Sequence, residues 1–151
     1  MITVNIEIQI KPWHLKIKNP KKYFKLRLKK IPKLVKFFNK KNISFTILLT
    51  NSFNIKKLNK KFRNKNQPTD VLSFPFFTDN NLRLEKTKNI YIGDIAISYE
   101  EINLKSKKNF LLEFDKVWIH GLLHLIGYKH SKDKDYFTMY NMEKKILSSI
   151  L

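Results

Sequence analysis

Three of the four histidines fall in one short string, His120-Gly-Leu-Leu-His124-Leu-Ile-Gly-Tyr-Lys-His130. His120 and His124 are four apart, so a helix sets them on one face about a turn from each other. Two imidazole nitrogens can then grip one ion. Gly127 comes three residues later, where a helix can end through a left-handed residue. The chain can turn back there and bring His130 to the same ion. Three neutral imidazoles suit zinc, although nickel, copper and iron also accept them. No fourth protein ligand is evident, which leaves one position open to water. An open position marks a catalytic zinc site, since structural sites are closed by four protein ligands. Water held there ionises near neutral pH and becomes a nucleophile. The expectation is one Zn2+ per chain on His120, His124 and His130. His14 stands alone beside Trp13 and carries no such reading.

Every histidine and the glycine also match a metalloprotease pattern, His-Glu-x-x-His-x-x-Gly-x-x-His. The general base of that pattern is its Glu. Here the position is Gly121, which has no side chain. Met139 and Met142 lie downstream, where a methionine turn would be sought, but Met at helical spacing reads as core. Peptide hydrolysis therefore ranks below the other readings.

The elements around this string can be read from periodicity. Residues 3–10 alternate polar and apolar, as a half-buried strand does. Residues 21–41 carry apolar positions at mostly helical spacing with Lys between them, and Pro32 should kink or break that helix. Strands are expected at 43–50, 71–74 and 91–98, the last interrupted by Gly93-Asp94. Ser52 is expected to cap a helix over 54–62. Loops are expected at 64–70 and 78–89, and a short helix at 100–108. Apolar residues surround the segment 109–127, so that helix should be central and buried. A last amphipathic helix covers 133–147. There is no linker, repeat or composition break. The expectation is a single α+β domain over 1–151, a small mixed sheet packed with about five helices, the central one carrying the histidines.

Composition sets limits. The chain has 151 residues, 42% hydrophobic and 13% aromatic, enough for one core. There is no cysteine, which excludes disulfides and thiolate metal sites. No apolar run is long enough to span a bilayer, and the start lacks a secretory pattern. A cytoplasmic protein with no membrane role is expected. The formal charge is +19, which attracts polyanions whatever their sequence. Of the 31 basic residues 28 are Lys and three are Arg: Arg27, Arg63 and Arg83. Lys, Asn and Ile are all coded by AT-rich codons, so base composition alone would also raise Lys. The scarce Arg are the more informative.

The histidine string closely resembles the signature His-Gly-x-Leu-His-Leu-x-Gly-Tyr-Asp-His of the bacterial YbeY family. The stretch Leu58 to Pro75, with Phe62-Arg63, Pro68-Thr69-Asp70 and Val71-Leu-Ser-Phe-Pro, resembles a second family block. Ile92-Gly93-Asp94-Ile-Ala-Ile-Ser98 is similar to a third. With the flanking helices the resemblance covers nearly the whole chain. It implies a metal-dependent endoribonuclease of the single-strand type, active in maturation of the 16S ribosomal RNA 3′ end and in ribosome quality control. The implied partners are ribosomal RNA and the small ribosomal subunit, with no DNA role. Carried over by position, His120, His124 and His130 match the family's zinc ligands, and Arg63 its functionally important arginine in the cleft. The implied catalytic residues are Arg63 and His124. Lys129 stands where the family has Asp, Phe62 where Tyr is common, and Asn66 where Asp is common. An Asp beside a ligand can orient an imidazole, whereas Lys129 adds repulsion toward the metal or reaches for RNA phosphate.

Arg63 suits a bidentate grip on phosphate that Lys cannot copy. No carboxylate lies within the histidine string to act as base. Either hydroxide attacks directly or the RNA 2′-OH attacks after losing its proton. Asp70 and Asp94 are candidate helpers, but Asp in such settings reads as a turn residue. The Lys-rich face of 21–41 is a candidate RNA track. Two alternatives stay open: a ribosome-associated binding factor with a structural metal, and the metalloprotease.

Overall fold

The computed structural model describes residues 1–39, 41–78 and 81–151. Four strands, β1 (Ile2–Ile8), β2 (Asn42–Thr50), β3 (Val71–Pro75) and β4 (Asn89–Ser98), form one sheet in the order β1-β2-β4-β3. β1 and β2 pair in parallel, as do β2 and β4, while β3 runs antiparallel to β4. The sheet is therefore mixed, as expected from the sequence. β2 alternates cleanly, burying Ile43, Phe45, Ile47 and Leu49. The C-terminal half of β4 is buried on both faces, with Ile95, Ala96, Ile97 and Ser98 all enclosed. Helices cover both sides there, which a strand of continuous apolar residues requires.

The interruption expected at Gly93-Asp94 is a bulge. The β2–β4 register shifts between Ser44 and Thr46, opposite Tyr91 and Asp94. Gly93 sits at φ +133°, and a Cβ there would lie 2.2 Å from the Phe74 carbonyl oxygen. Only glycine fits both the dihedral and the space.

The central helix is α6 (Phe110–Leu125), with α1 (Pro12–Lys16), α2 (Pro20–Leu28), α3 (Ser52–Arg63), α4 (Asn81–Leu84) and α5 (Tyr99–Lys105) before it and α7 (Asp133–Ile150) after it. α6 starts where the Asn109 side chain accepts from the Leu112 N–H at 3.1 Å. It buries Phe114, Val117, Trp118, Ile119, Leu122, Leu123 and Leu125 against the sheet and α7. The close approach to the sheet depends on Gly121. A Cβ there would lie 2.9 Å from Ile95 Cγ2 and 3.2 Å from Ser73 Oγ. Ile95 meets α6, so its neighbour Ala96 points to the opposite face. There Ala96 packs with Leu72 and Ile55 of α3 in a second, smaller core.

One polar cluster is enclosed on α6. Asp115 is 1% exposed. Its carboxylate accepts from Trp118 Nε1 (2.8 Å), Tyr23 Oη (2.7 Å) and Arg27 Nε (3.2 Å). The Arg27 guanidinium also lies 3.6 Å from the Tyr23 ring centre. Burial and the adjacent Asp115 carboxylate push the Tyr23 hydroxyl well above its ordinary pKa, so it stays a donor. This cluster ties α2 to α6.

Several expectations are corrected. The helix over 21–41 breaks, as expected of Pro32, but it ends already at Leu28 and does not resume; two 3-10 turns follow at Ile31–Lys33 and Lys36–Phe38. Pro32 lacks an N–H and cannot continue the α-helical ladder. Residue 40 of that range lies outside the described residues. The cap of α3 is Asn51, whose side chain accepts from Asn54 N–H at 2.8 Å, and Ser52 is its first helical residue. α1 is an addition; it buries Trp13, which donates to the Thr50 carbonyl at 2.9 Å. The loop expected at 78–89 contains the single turn α4, and residues 79 and 80 lie outside the described residues. No described helix is long and apolar enough to cross a membrane.

Candidate metal centre

The helix end that delivers the histidines is a Schellman turn. Gly127 adopts φ +101°, Gly127 N–H donates to the His124 carbonyl (3.1 Å), and Tyr128 N–H to the Leu123 carbonyl (3.0 Å). The chain then reverses toward α7 and carries His130 back to α6. His120, His124 and His130 each offer a nitrogen, all within 4.8 Å of one another. Their ring centres lie 4.5, 4.8 and 5.5 Å apart. His120 and His124 are partly buried and His130 is exposed. His14, in α1, is exposed and stands apart from them.

Hydrogen bonds set the tautomers. His124 Nδ1 lies 2.8 Å from the Tyr128 carbonyl oxygen, which can only accept. His120 Nδ1 lies 2.6 Å from Glu143 Oε1 of α7, and an ionised carboxylate also only accepts. Both Nδ1 atoms therefore carry a proton, and in the neutral form of each ring Nε2 carries a lone pair. The two Nε2 atoms face each other at 3.0 Å. Two neutral lone pairs at that distance repel unless a proton or a metal ion lies between them. Two nitrogens on one tetrahedral zinc, each about 2.0–2.1 Å from it, stand roughly 3.3 Å apart. The donor set fits such an ion. Each of the two helical imidazoles has the carbonyl or carboxylate partner that metal-binding histidines use to fix their orientation.

Burial lowers His124 to about pKa 4, with His120 beside it adding to the effect against the opposing Tyr128 hydrogen bond. His124 is thus neutral at physiological pH, the form that binds metal.

The histidines open on a cleft of about 880 Å³. Arg63 lies in the same cleft, together with Ser73, Pro75, Lys129 and Asp70. It is the last residue of α3. Asn64 follows in a left-handed conformation, φ 55°, and Lys65 N–H donates to the Asn59 carbonyl at 3.2 Å. Asn59, buried, donates from Nδ2 to the Gln67 carbonyl at 2.8 Å and holds the following loop. Arg63 Nη2 donates to the Ser73 carbonyl at 2.9 Å. One of its five N–H donors fixes the guanidinium at the strand edge.

The other sequence candidates are placed elsewhere. Asp70 lines the cleft, but its carboxylate pairs with Lys105 Nζ at 2.6 Å. The Asp94 carboxylate accepts from Tyr91 Oη, in a cluster that also holds Thr46. Met139 is buried and Met142 half-buried within α7, so both belong to helix packing. Gly121 faces Ile95 and Ser73, and any side chain there would press on the sheet. The protease pattern lacks its general base at this position.

Glu143 was missed from the sequence. The signal was present: it falls among the apolar positions Met139, Met142, Ile146 and Ile150 of α7, an acid on the inward side of an amphipathic helix. The Tyr128 carbonyl is a backbone group and leaves no mark in side-chain pattern.

The family model Endoribonuclease YbeY matches residues 5–151. Endoribonuclease YbeY of Pelagibacter ubique is 48% identical over 99% of this chain and 97% of its own length. The Wolbachia protein of the same name is 35% identical over 97% of this chain and 95% of its own length. The solution structure of TM1509 from Thermotoga maritima superposes with a TM-score of 0.59 at 28% identity, covering 99% of this chain and 89% of that one. With the family model spanning nearly all of it and relatives similar over almost their full length, the chain belongs to the YbeY endoribonuclease family.

Proposed function

We propose that this member of the family cleaves RNA phosphodiester bonds with one zinc ion on His120, His124 and His130, while Arg63 grips the scissile phosphate. The observation that carries the reading is the convergence of three imidazole nitrogens within 4.8 Å in a cleft that also holds Arg63. A metal ion there supplies Lewis-acid polarisation of a phosphoryl oxygen and a water acidified toward neutral pH. The chain's own groups do the rest. Glu143 and the Tyr128 carbonyl keep both Nδ1 protons in place and aim both Nε2 atoms into the cleft. His124, neutral at physiological pH, offers its lone pair without first losing a proton. Arg63, anchored through one N–H to Ser73, presents the rest of its planar fork to a phosphate. The Asp70 carboxylate is paired with Lys105, which favours a structural role for it.

The finer reading follows the family resemblance: a cytoplasmic enzyme acting on single-stranded ribosomal RNA at the 16S 3′ end, with the small ribosomal subunit as partner. The excess of basic side chains supports a polyanionic partner. The test is cleavage of end-labelled RNA before chelation, after chelation and after zinc is restored, with the product ends mapped. Activity lost and then regained supports the proposal. A 2′,3′-cyclic phosphate product would assign attack to the RNA 2′-OH instead of water. Cleavage that ignores both chelation and His124→Ala overturns the proposal. Accumulation of 16S RNA with an unprocessed 3′ end in cells lacking the protein tests the finer reading, and normal ends there contradict it.

A further inference from the structure

α7 carries a second feature beside the metal centre. Tyr136, Phe137 and Tyr140 are 51%, 61% and 43% exposed, which is unusual for three aromatic residues within two turns. The Tyr136 and Tyr140 rings are parallel, 6° between planes, with centres 6.0 Å apart. Lys144 Nζ lies 5.1 Å from the Tyr140 ring centre. Phe137 meets Tyr136 edge-on. Tyr136, Tyr140 and Glu143 are spaced i, i+4, i+7, so they form one stripe along the helix. Glu143 is the residue that holds His120. At a rise of ~1.5 Å per residue, Tyr140 lies about 4.5 Å and Tyr136 about 10.5 Å along the axis from Glu143.

We infer that the Tyr136–Tyr140 stack is a base-stacking platform for an unpaired nucleotide flanking the phosphate held at the histidine cluster. This rests on the RNA-cleaving reading above and gives it a specificity element. The occupant follows from position and chemistry. A strand whose phosphate lies at the histidines must leave the cleft past neighbouring surface, and this stripe starts at a residue bonded to His120. Flat, exposed rings accept the π face of any base, and a paired base has both faces already covered. The nearby charges are mixed, Asp133 one turn before and Lys144 one turn after, so the stripe suits a base better than a phosphate track. Lys144 at the Tyr140 ring adds a cation for the polyanionic strand.

The test is steady-state cleavage of a single-stranded RNA oligonucleotide by zinc-loaded wild type, Y136A/Y140A and Y136F/Y140F. An abasic nucleotide is scanned through the positions flanking the cut. The platform predicts that Y136A/Y140A raises KM about tenfold or more, with kcat within about twofold, since one stacked base is worth about that much affinity. The Phe pair keeps the rings and should match wild type. One abasic position should raise KM for wild type yet leave the Ala pair unchanged, because the contact is already gone. The slope of log KM against log salt should stay the same, since no phosphate contact is removed. A wild-type KM in Y136A/Y140A, with wild-type cleavage intact, overturns the platform and leaves the proposed activity standing. Equal abasic sensitivity in both proteins also overturns it. If zinc-loaded wild type neither binds nor cuts RNA, the platform and the activity fall together.

Discussion

Helix α6 carries two polar clusters little more than a turn apart, and they are opposites. Around Asp115, donors from Trp118, Tyr23 and Arg27 all end on one buried carboxylate. Charge, donors and acceptor match on the buried carboxylate, so Asp115 has little left to offer a ligand. Around His120 and His124, the outer nitrogens are matched by Glu143 and Tyr128, while the inner ones meet only each other, at the edge of a cleft. Both clusters hold ionisable residues with short hydrogen bonds. What separates fold from function is unused bonding capacity directed into a cleft. Three imidazole nitrogens converging within 4.8 Å at a cleft, with no other partner for the inner two, point to a ligand.

The sharpest way to break the comparison is to open the closed cluster. Asp115→Ala leaves Trp118, Tyr23 and Arg27 without their common acceptor and should cost about 3–5 kcal/mol of stability. Denaturant unfolding measures it. A loss within ~1 kcal/mol would mean the cluster is dispensable and the contrast is wrong.

Glu143→Gln tests the open cluster more gently. The amide still reaches His120 Nδ1, but without the negative charge that makes the imidazole a better donor to metal. Metal affinity should fall about 10–100-fold with little change in fold. Competition against a chelator of known affinity measures it. Unchanged affinity would make Glu143 a helix-packing residue only.

The smallest effect comes from pH in metal-free protein. His124 titrates at about 4 when folded and near its ordinary 6.5 when unfolded. Between those values the unfolded chain binds more protons, so this contribution to stability is complete above pH 6.5 and falls as pH drops toward 4. Melting temperature followed over that window should fall less steeply in His124→Ala than in wild type. Parallel curves would contradict the assignment.

Much of the site was legible because its logic is local. Four-residue spacing and a glycine three residues on specify a helical pair and a returning chain, whatever the rest of the protein does. The buried character of α6 was legible from apolar residues on every side. What was not legible depends on distant contacts. Arg27 shared the scarcity that drew attention to Arg63, yet it lies on α2 against Asp115, far along the sequence. Gly121 read as a missing general base, but the structure gives it a positive reason, the approach of α6 to Ile95. The break expected at Pro32 is present, but the helix ends earlier, at Leu28, and only 3-10 turns follow, so apolar spacing beyond the proline marked no α-helix.

The central claim is that the open cluster holds a metal on which RNA cleavage depends. The most direct measurement is metal content by mass spectrometry on wild type and His124→Ala, purified without chelators from zinc-supplemented cells, with RNA cleavage assayed on the same samples. About one zinc per chain is expected in wild type, little or none in the variant, and cleavage lost with it while the melting transition remains cooperative. Metal-free wild type that still cuts RNA, or a variant that keeps both metal and activity, would contradict it.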